Sequence, residues 1–254
     1  MQTNRRLDGW YRGRPAAHHG AKWAVGATLL LLMTHVGAPA ADAQPSSPNP
    51  SPSFSEEPLT EYRALRRMHA RSDKFGHEGW LEAWTELDRR GFRYEVVSER
   101  GSEYVRNKVL REMLERERDV IAQGQESRAD LTATNYEFSE PPVQQPGEHH
   151  VLLKPKRKDV LLVDGRMVLS PDRRELLRVE GRLARNPSFW TSLVNIVRRY
   201  ARLDGVRVPV SVETTAKIKI AGVSHMKVDY EYESVNGRPV TVAARRTAAA
   251  VASR

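Results

Sequence analysis

The chain has 254 residues and a formal net charge of +9, from 41 Lys and Arg residues against 32 Asp and Glu residues. It contains no cysteine, which excludes a disulfide framework and any cysteine-ligated metal site. Basic and acidic residues are interspersed, so the charge favours solubility and does not form the dense basic patch of a nucleic-acid-binding protein. We therefore expect no nucleic-acid partner.

The first 43 residues have the layout of an export signal. A basic stretch that includes Arg5 and Arg6 precedes the apolar run WAVGATLLLLMTHVG, and small residues follow up to Ala41 and Ala43. This order of blocks is typical of a secretory signal, and the run is shorter than the ~20 apolar residues of a spanning helix. We expect cleavage after Ala43 and a periplasmic protein; an uncleaved anchor is the alternative.

Three segments are predicted to be poorly ordered. Residues 44–58 are rich in Pro and Ser and predict a linker before a domain that spans residues 59–243. Residues 139–150 predict a Pro-rich loop inside that domain. The last residues, 244–254, are small and basic and predict a disordered tail that forms at best a loose helix.

The domain begins with a predicted short helix. In LTEYRALRRMHARS, residues 59–72, Thr60 is a candidate N-cap, and Tyr62, Leu65 and Met68 follow at helical spacing.

A hairpin and a long helix follow. GWLEAWTELD and GFRYEVVSE alternate in polarity on either side of Arg90-Gly91, which predicts two paired strands. The segment 102–124 then carries an apolar stripe at helical spacing and ends at Gly124, so it predicts the one long amphipathic helix of the protein.

Residues from about 150 to 243 predict almost continuous β-structure. Alternating runs, among them KDVLLV and RPVTVAA, are separated by glycine-containing pairs that are typical of hairpin turns: Asp164-Gly165, Asp204-Gly205, Ala221-Gly222 and Asn236-Gly237. Such a chain forms an up-and-down antiparallel meander. Several strands reach ten residues, and long twisted strands tend to curl.

The two faces of these strands differ in polarity. Val206, Val208, Val210 and Val212 alternate with polar residues, and HMKVDYEYE repeats the pattern. One face is apolar and the other is wet. An uncovered apolar face would cost ~25 cal/mol per Å², so the helices must cover it. The fold class is therefore α+β: a single curved antiparallel β-sheet, an unclosed barrel, covered by one long and one short helix. Such a sheet either packs solid or leaves an apolar cavity.

Several phrases in this β-rich layout resemble the outer-membrane lipoprotein carrier superfamily of LolA, LolB and RseB, and its uncharacterised exported relatives. The phrases are LKPKRKDVLLVDG, LLRVEGRLARNPSFW, VRRYARLDGVRVPVSVE and AGVSHMKVDYEYESVNGRPV, and the resemblance covers roughly residues 59 to 240. It implies a curved, unclosed barrel with a helical lid over an apolar cavity that takes acyl chains.

No catalytic or metal-binding constellation stands out. His149 and His150 are adjacent, so on a strand they face opposite sides and cannot share a metal ion. Ser224, His225 and Asp229 have poor geometry for a hydrolytic triad for the same reason. We expect a protein that is not an enzyme and uses no cofactor and no metal.

Two basic features leave alternatives open. The run KPKRKD, 154–159, is either a solvated turn or a patch for anionic lipid headgroups, so peripheral membrane contact is compatible with it. Arg198 shares the apolar face with Ile196 and Tyr200. It either reaches water at the rim or pairs with a buried acceptor or a ligand headgroup.

Asn186 and Pro187 precede the aromatic pair Phe189 and Trp190, between two predicted strands. Pro187 would interrupt a ladder. The aromatic pair is predicted to plug one end of the apolar face, or else to form a wall or gate of a cavity.

These expectations combine into an exported, non-enzymatic carrier or sensor of a lipid-like or lipoprotein acyl ligand, bound between the sheet and the helix at 103–123. The alternative is a ligand-free module that binds another envelope protein through an exposed face or a sheet edge. The candidate ligand-binding residues are Trp84, Tyr94, Phe189, Trp190, Arg198, Val210, Val212, Met226, Val228 and Tyr230.

Overall fold

A computed structural model describes residues 57–172 and 175–253. The predicted signal and residues 44–56 of the predicted linker lie outside the described residues. The strands are Tyr62–Ser72 (β1), Glu78–Asp88 (β2), Gly91–Gly101 (β3), Tyr136–Ser139 (β4), His149–Pro155 (β5), Val163–Leu169 (β6), Leu176–Leu183 (β7), Thr191–Leu203 (β8), Val206–Ile218 (β9), Gly222–Val235 (β10) and Arg238–Pro239 (β11).

These strands form one antiparallel sheet in the order β3-β2-β1-β10-β9-β8-β7-β6-β5-β4, and β11 pairs with β10. The predicted meander is confirmed, in two runs of consecutive strands, β1 to β3 and β4 to β10. The pairing of β1 with β10 joins the two runs into one sheet. The sheet is open, since its edge strands β3 and β4 are not paired with each other in the described residues. The predicted α+β architecture is therefore correct.

The first element is a strand, and the short helix predicted at the start of the domain is wrong. Every second residue of β1 is buried, namely Tyr62, Ala64, Arg66, Met68 and Ala70, and the residues between them are partly or fully exposed. This two-residue period is that of a strand with one face in the core. The period is hidden in the sequence because an arginine, Arg66, stands in the middle of the buried set, at a position that would be apolar in an ordinary strand.

The β5 to β7 region also differs from prediction. KDVLLV is mostly a loop with a turn, and β6 starts only at Val163. Asp164-Gly165 is not a turn but part of β6, where Gly165 lies opposite Gly181 of β7. A Cβ atom on Gly181 would lie 2.5 Å from the carbonyl oxygen of Asp164. Glycine is needed here because two backbones approach closely, not because the chain reverses.

Two other glycine pairs do mark hairpin turns. Asp204 and Gly205 have φ angles of 50° and 89°, and Asn236 and Gly237 have 47° and 73°. Positive φ at both central residues is the signature of a type I′ hairpin.

The long helix is confirmed over residues 103–122 and packs on the inner face of β3, β2 and β1. It consists of two α-helical segments, Glu103–Val105 and Glu112–Ala122, on either side of a π-helical segment, Arg106–Arg111. Gly124, with φ of 61°, ends it. A 3₁₀ turn follows at Glu126–Ala129.

The C-terminal segment is a capped helix, Val242–Ala252, where a longer last strand and then a disordered tail, or at best a loose helix, were expected. Its alanines have the highest helix propensity, and the Thr241 side chain caps it by accepting a hydrogen bond from the Ala244 amide at 3.2 Å. This C-terminal helix packs against the outer face of β8, β9 and β10. Ser211, on that face of β9, is fully buried, so the outer face is only partly wet.

None of the helices within residues 57–172 and 175–253 is both long enough and apolar enough to cross a membrane.

The close approach of β6 and β7 yields a stability prediction. Gly181→Ala should lower the free energy of unfolding by about 2 to 3 kcal/mol, because the new methyl group would force the two strands apart. Gly76→Ala is the control, since Gly76 has φ of 59° but a Cβ atom there would have no neighbour within 4 Å, and it should cost only about 1 kcal/mol of backbone strain. Urea denaturation measures both; equal losses would contradict the close-approach explanation.

Candidate ligand-binding site

An apolar pocket of about 310 Å³ lies at the end of the sheet where β1 and β9 end and where β2, β8 and β10 begin. Its floor is the inner face of the central strands. The residues that make the pocket apolar are Val105, Val109, Val194, Ala216, Ile218 and Met226.

The start of the long helix forms the roof of this pocket. Tyr104, Val105 and Val109 all line it, and Val109 belongs to the π-helical segment. The roof lies close to the sheet because Gly79 of β2 has no side chain, and a Cβ atom there would be 3.0 Å from Val105. Single-turn π segments inside α-helices occur frequently at functional sites.

The mouth of the pocket carries aromatic and polar groups. Phe75 and Tyr104 are 50% and 40% exposed, and the His77 ring lies between them with ring centroids 6.0 and 6.4 Å away. Asp73, in the same turn as Phe75, accepts a hydrogen bond from Arg71 at 2.8 Å. The pocket is thus apolar inside, with the exposed rings of Phe75, His77 and Tyr104 at its opening.

A buried ion pair holds the long helix on the sheet. The guanidinium of Arg66 donates two hydrogen bonds to the Glu117 carboxylate, at 2.6 and 2.8 Å, and neither side chain is exposed. Arg66 also donates to the Tyr62 hydroxyl at 2.7 Å and to Thr85 at 3.1 Å. All three guanidinium nitrogens and both carboxylate oxygens therefore have partners, as a buried pair requires.

The protonation state of this cluster follows from its surroundings. Burial alone would lower the pKa of Arg66, but the Glu117 carboxylate, together with the Tyr62 and Tyr230 phenols, holds that pKa well above its ordinary value. Burial raises the pKa of Tyr230 to about 12. The arginine of this cluster is therefore charged and its phenols are neutral.

Arg198 is buried and does not reach the rim, so that interpretation is wrong. It lies on the inner face among Tyr136, Tyr200 and Tyr230, and it hydrogen-bonds Tyr200. Burial would lower the pKa of Arg198, and the surrounding phenols raise it above its ordinary value. Burial likewise raises the pKa of Tyr136 to about 12.

Of the ten predicted ligand-binding residues, Met226 alone lines the pocket. Four others, Val210, Val212, Val228 and Tyr230, share its inner face but are buried in the solid part of the core. Tyr94 is also on the inner side, where its hydroxyl donates a hydrogen bond to Glu115 of the long helix.

The other aromatic residues that were predicted to bind the ligand are on the surface. Trp84 is on the outer face of β2, with the Arg63 guanidinium 4.6 Å from its ring centroid. Phe189 and Trp190 are 78% and 41% exposed. The prediction that this pair plugs the end of the core is wrong: Pro187 lines the pocket, Phe189 is largely in solvent and Trp190 is partly exposed.

Sequence patterns did not predict most of the pocket. A usable signal was present in β9, where the inner positions change from valines at 206–212 to Thr214 and Ala216. Small side chains at successive inward positions leave space that the valines would fill. Ala70 of β1 has the same role on the opposite side.

Within residues 57–172 and 175–253, no three histidine, aspartate or glutamate side chains are grouped closely enough to hold a metal ion.

The buried ion pair can be tested against an exposed one on the same helix. Glu117→Gln should destabilise the protein by about 3 to 5 kcal/mol, because it leaves the Arg66 charge buried without a counter-ion. Replacing both partners, Arg66→Met with Glu117→Leu, should recover more than half of that loss. The control is Glu112→Gln, which breaks an exposed pair with Arg116 and should cost less than about 1 kcal/mol. Urea titrations give the three values; a double variant as unstable as Glu117→Gln would contradict the explanation.

No family model matches the chain, and no curated protein matches it. Among solved structures, the chain is similar to a DUF1329 family protein from Desulfovibrio piger ATCC 29098, with a TM-score of 0.33 and 11% identity over 68% of this chain and 84% of that chain.

Proposed function

We propose that the protein is an exported, periplasmic, non-enzymatic carrier or sensor, and that it binds an acyl chain of a lipid-like or lipoprotein ligand in the apolar pocket. The observation that carries the proposal is the pocket itself, an apolar space of about 310 Å³ between the sheet and the start of the long helix. Its volume is at the lower end of the ~300–1,000 Å³ range of small-molecule sites, which suits one chain better than several.

The distribution of polarity supports an amphiphilic ligand. Val194, Ile218 and Met226 line the inside, and the exposed side chains of His77 and Tyr104 are at the opening. An acyl chain would bury its hydrocarbon against the first set, at ~25 cal/mol per Å² of surface removed from water. Its polar head would remain in water beside the second set.

The resemblance to the LolA and LolB carriers supports the same proposal from the sequence. Those proteins place helices over the apolar face of a curved, unclosed sheet, and here the long helix covers one part of such a face and leaves a pocket beside its first turns. Export by the predicted signal would bring the protein to a compartment bounded by membranes, where acyl ligands are available.

Filling the pocket tests the proposal. Ala216 is on β9, directly opposite Val194 of β8, and both line the pocket. Ala216→Phe should place its ring in the acyl space and lower the amount of co-purified lipid at least about tenfold, since even one methylene group in an apolar pocket changes binding by about 10-fold or more. Native mass spectrometry and lipid extraction of the periplasmically expressed protein give the measurement.

The matched control is Asn195→Phe, which adds the same ring to an exposed position on the outer face of β8. It should leave the lipid content unchanged. Ala70→Phe narrows the same pocket from β1 and should act as Ala216→Phe does. Unchanged protein that carries no acyl chain, and gains none from added fatty acid, would contradict the proposal and would favour a ligand-free envelope interaction module.

A further inference from the structure

Two loops at the pocket end of the sheet expose aromatic side chains, and lysines of the first of these loops and of a third loop lie beside the rings. We call this surface the aromatic rim and define it by Phe75, Phe189, Trp190, Lys74 and Lys219. Phe75 is 50% exposed, Phe189 78% and Trp190 41%. The Lys219 ammonium is 3.9 Å from the ring centroid of Phe189, and the Lys74 ammonium is 5.6 Å from that of Phe75.

Hydrogen bonds join the three loops into one surface. The Lys219 amide, in the β9–β10 turn, donates to the Trp190 carbonyl oxygen at 2.9 Å. The Lys74 ammonium, in the β1–β2 turn, donates to the Ile220 carbonyl oxygen at 2.9 Å. Phe75 also lines the pocket, so the aromatic rim borders the pocket mouth.

The charge around the aromatic rim is positive. Lys217 and Arg185 are exposed on the adjoining chain segments, and they add to the two lysines of the rim. The acidic group of these loops, Asp73, is already engaged by Arg71 at 2.8 Å and by His225 at 3.1 Å. The antiparallel order of the strands also places the basic loop after β5, part of the run 154–159, at this end of the sheet.

We propose that the aromatic rim docks the protein on the surface of an anionic lipid bilayer. Tryptophan and phenylalanine insert their rings at the level of the headgroups, and lysines beside them reach the lipid phosphates with their ammonium groups. The positive charge of this end matches the negative surface of such a membrane. This inference goes beyond the proposed function and does not depend on an acyl chain occupying the pocket.

Vesicle binding tests the proposal with the purified protein. The unchanged protein should co-sediment with vesicles of phosphatidylcholine and phosphatidylglycerol and only weakly with phosphatidylcholine alone. Phe189→Ala with Trp190→Ala should weaken binding at least about tenfold, since each exposed ring contributes apolar surface to the contact. Lys219→Gln should weaken it about fivefold, the effect of one lysine at an anionic surface.

Matched controls are available at the opposite end of the sheet. Val143→Ala removes an apolar side chain that is also 78% exposed, and Arg89→Gln removes an exposed charge from the β2–β3 turn. Both should leave binding unchanged. Trp190→Phe should keep most of the binding but should abolish the blue shift of tryptophan fluorescence that vesicles cause, which locates the contact at this residue.

The proposal about the pocket and the proposal about the aromatic rim can be contradicted independently of each other. Ala216→Phe should still bind vesicles even though it loses its acyl ligand, because it leaves the aromatic rim intact. If the double variant at Phe189 and Trp190 binds anionic vesicles as tightly as the unchanged protein, or if the unchanged protein does not bind them, the docking proposal is wrong, whatever the pocket holds.

Discussion

The architecture depends on one buried ion pair, Arg66 with Glu117. Removing two charges from water costs several kcal/mol each, and only a two-pronged contact with further hydrogen bonds offsets that cost. Here Tyr62 and Thr85 provide those bonds. The ion pair is consequently stable in one geometry only. That geometry fixes the position of the long helix on the sheet. A helix held in this way cannot slide toward the end of the sheet and fill the space over Met226, so the pocket beside its first turns persists.

The position of Arg66 in the topology extends this constraint to the whole sheet. It is on β1, which pairs with β2 on one side and with β10 on the other. β1 is therefore the strand that joins the two meanders. The phenol of Tyr230, across from Arg66 on β10, has its ring centroid 4.8 Å from the guanidinium, so both meanders contribute to the environment of the same charge. The ion pair of Arg66 with Glu117 therefore stabilises both the core and the contact between the two meanders.

Local patterns predicted the local parts of this fold. The β2–β3 hairpin, the long helix and the two type I′ turns follow from spacing and turn chemistry that involve only near neighbours. β1 could not be assigned that way, since its apolar residues fit both a helical and a two-residue period. The deciding fact was the pairing of Arg66 with Glu117, 51 positions along the chain. The pocket was missed for a related reason: it depends on where the helix starts relative to the sheet, which no single segment encodes.

The π-helical segment Arg106–Arg111 lies between the roof of the pocket and the anchor of the helix at Glu117. A π turn accommodates one residue more than an α turn, so it takes up that residue locally and the α-helical turns on either side stay in phase. Tyr104 and Val105 therefore line the pocket while Glu117 contacts Arg66. Loss of a single residue within this segment would let the helix become regular and would leave roof and anchor in the same register. The π turn thus makes this spacing tolerant of a change of one residue in the length of the helix.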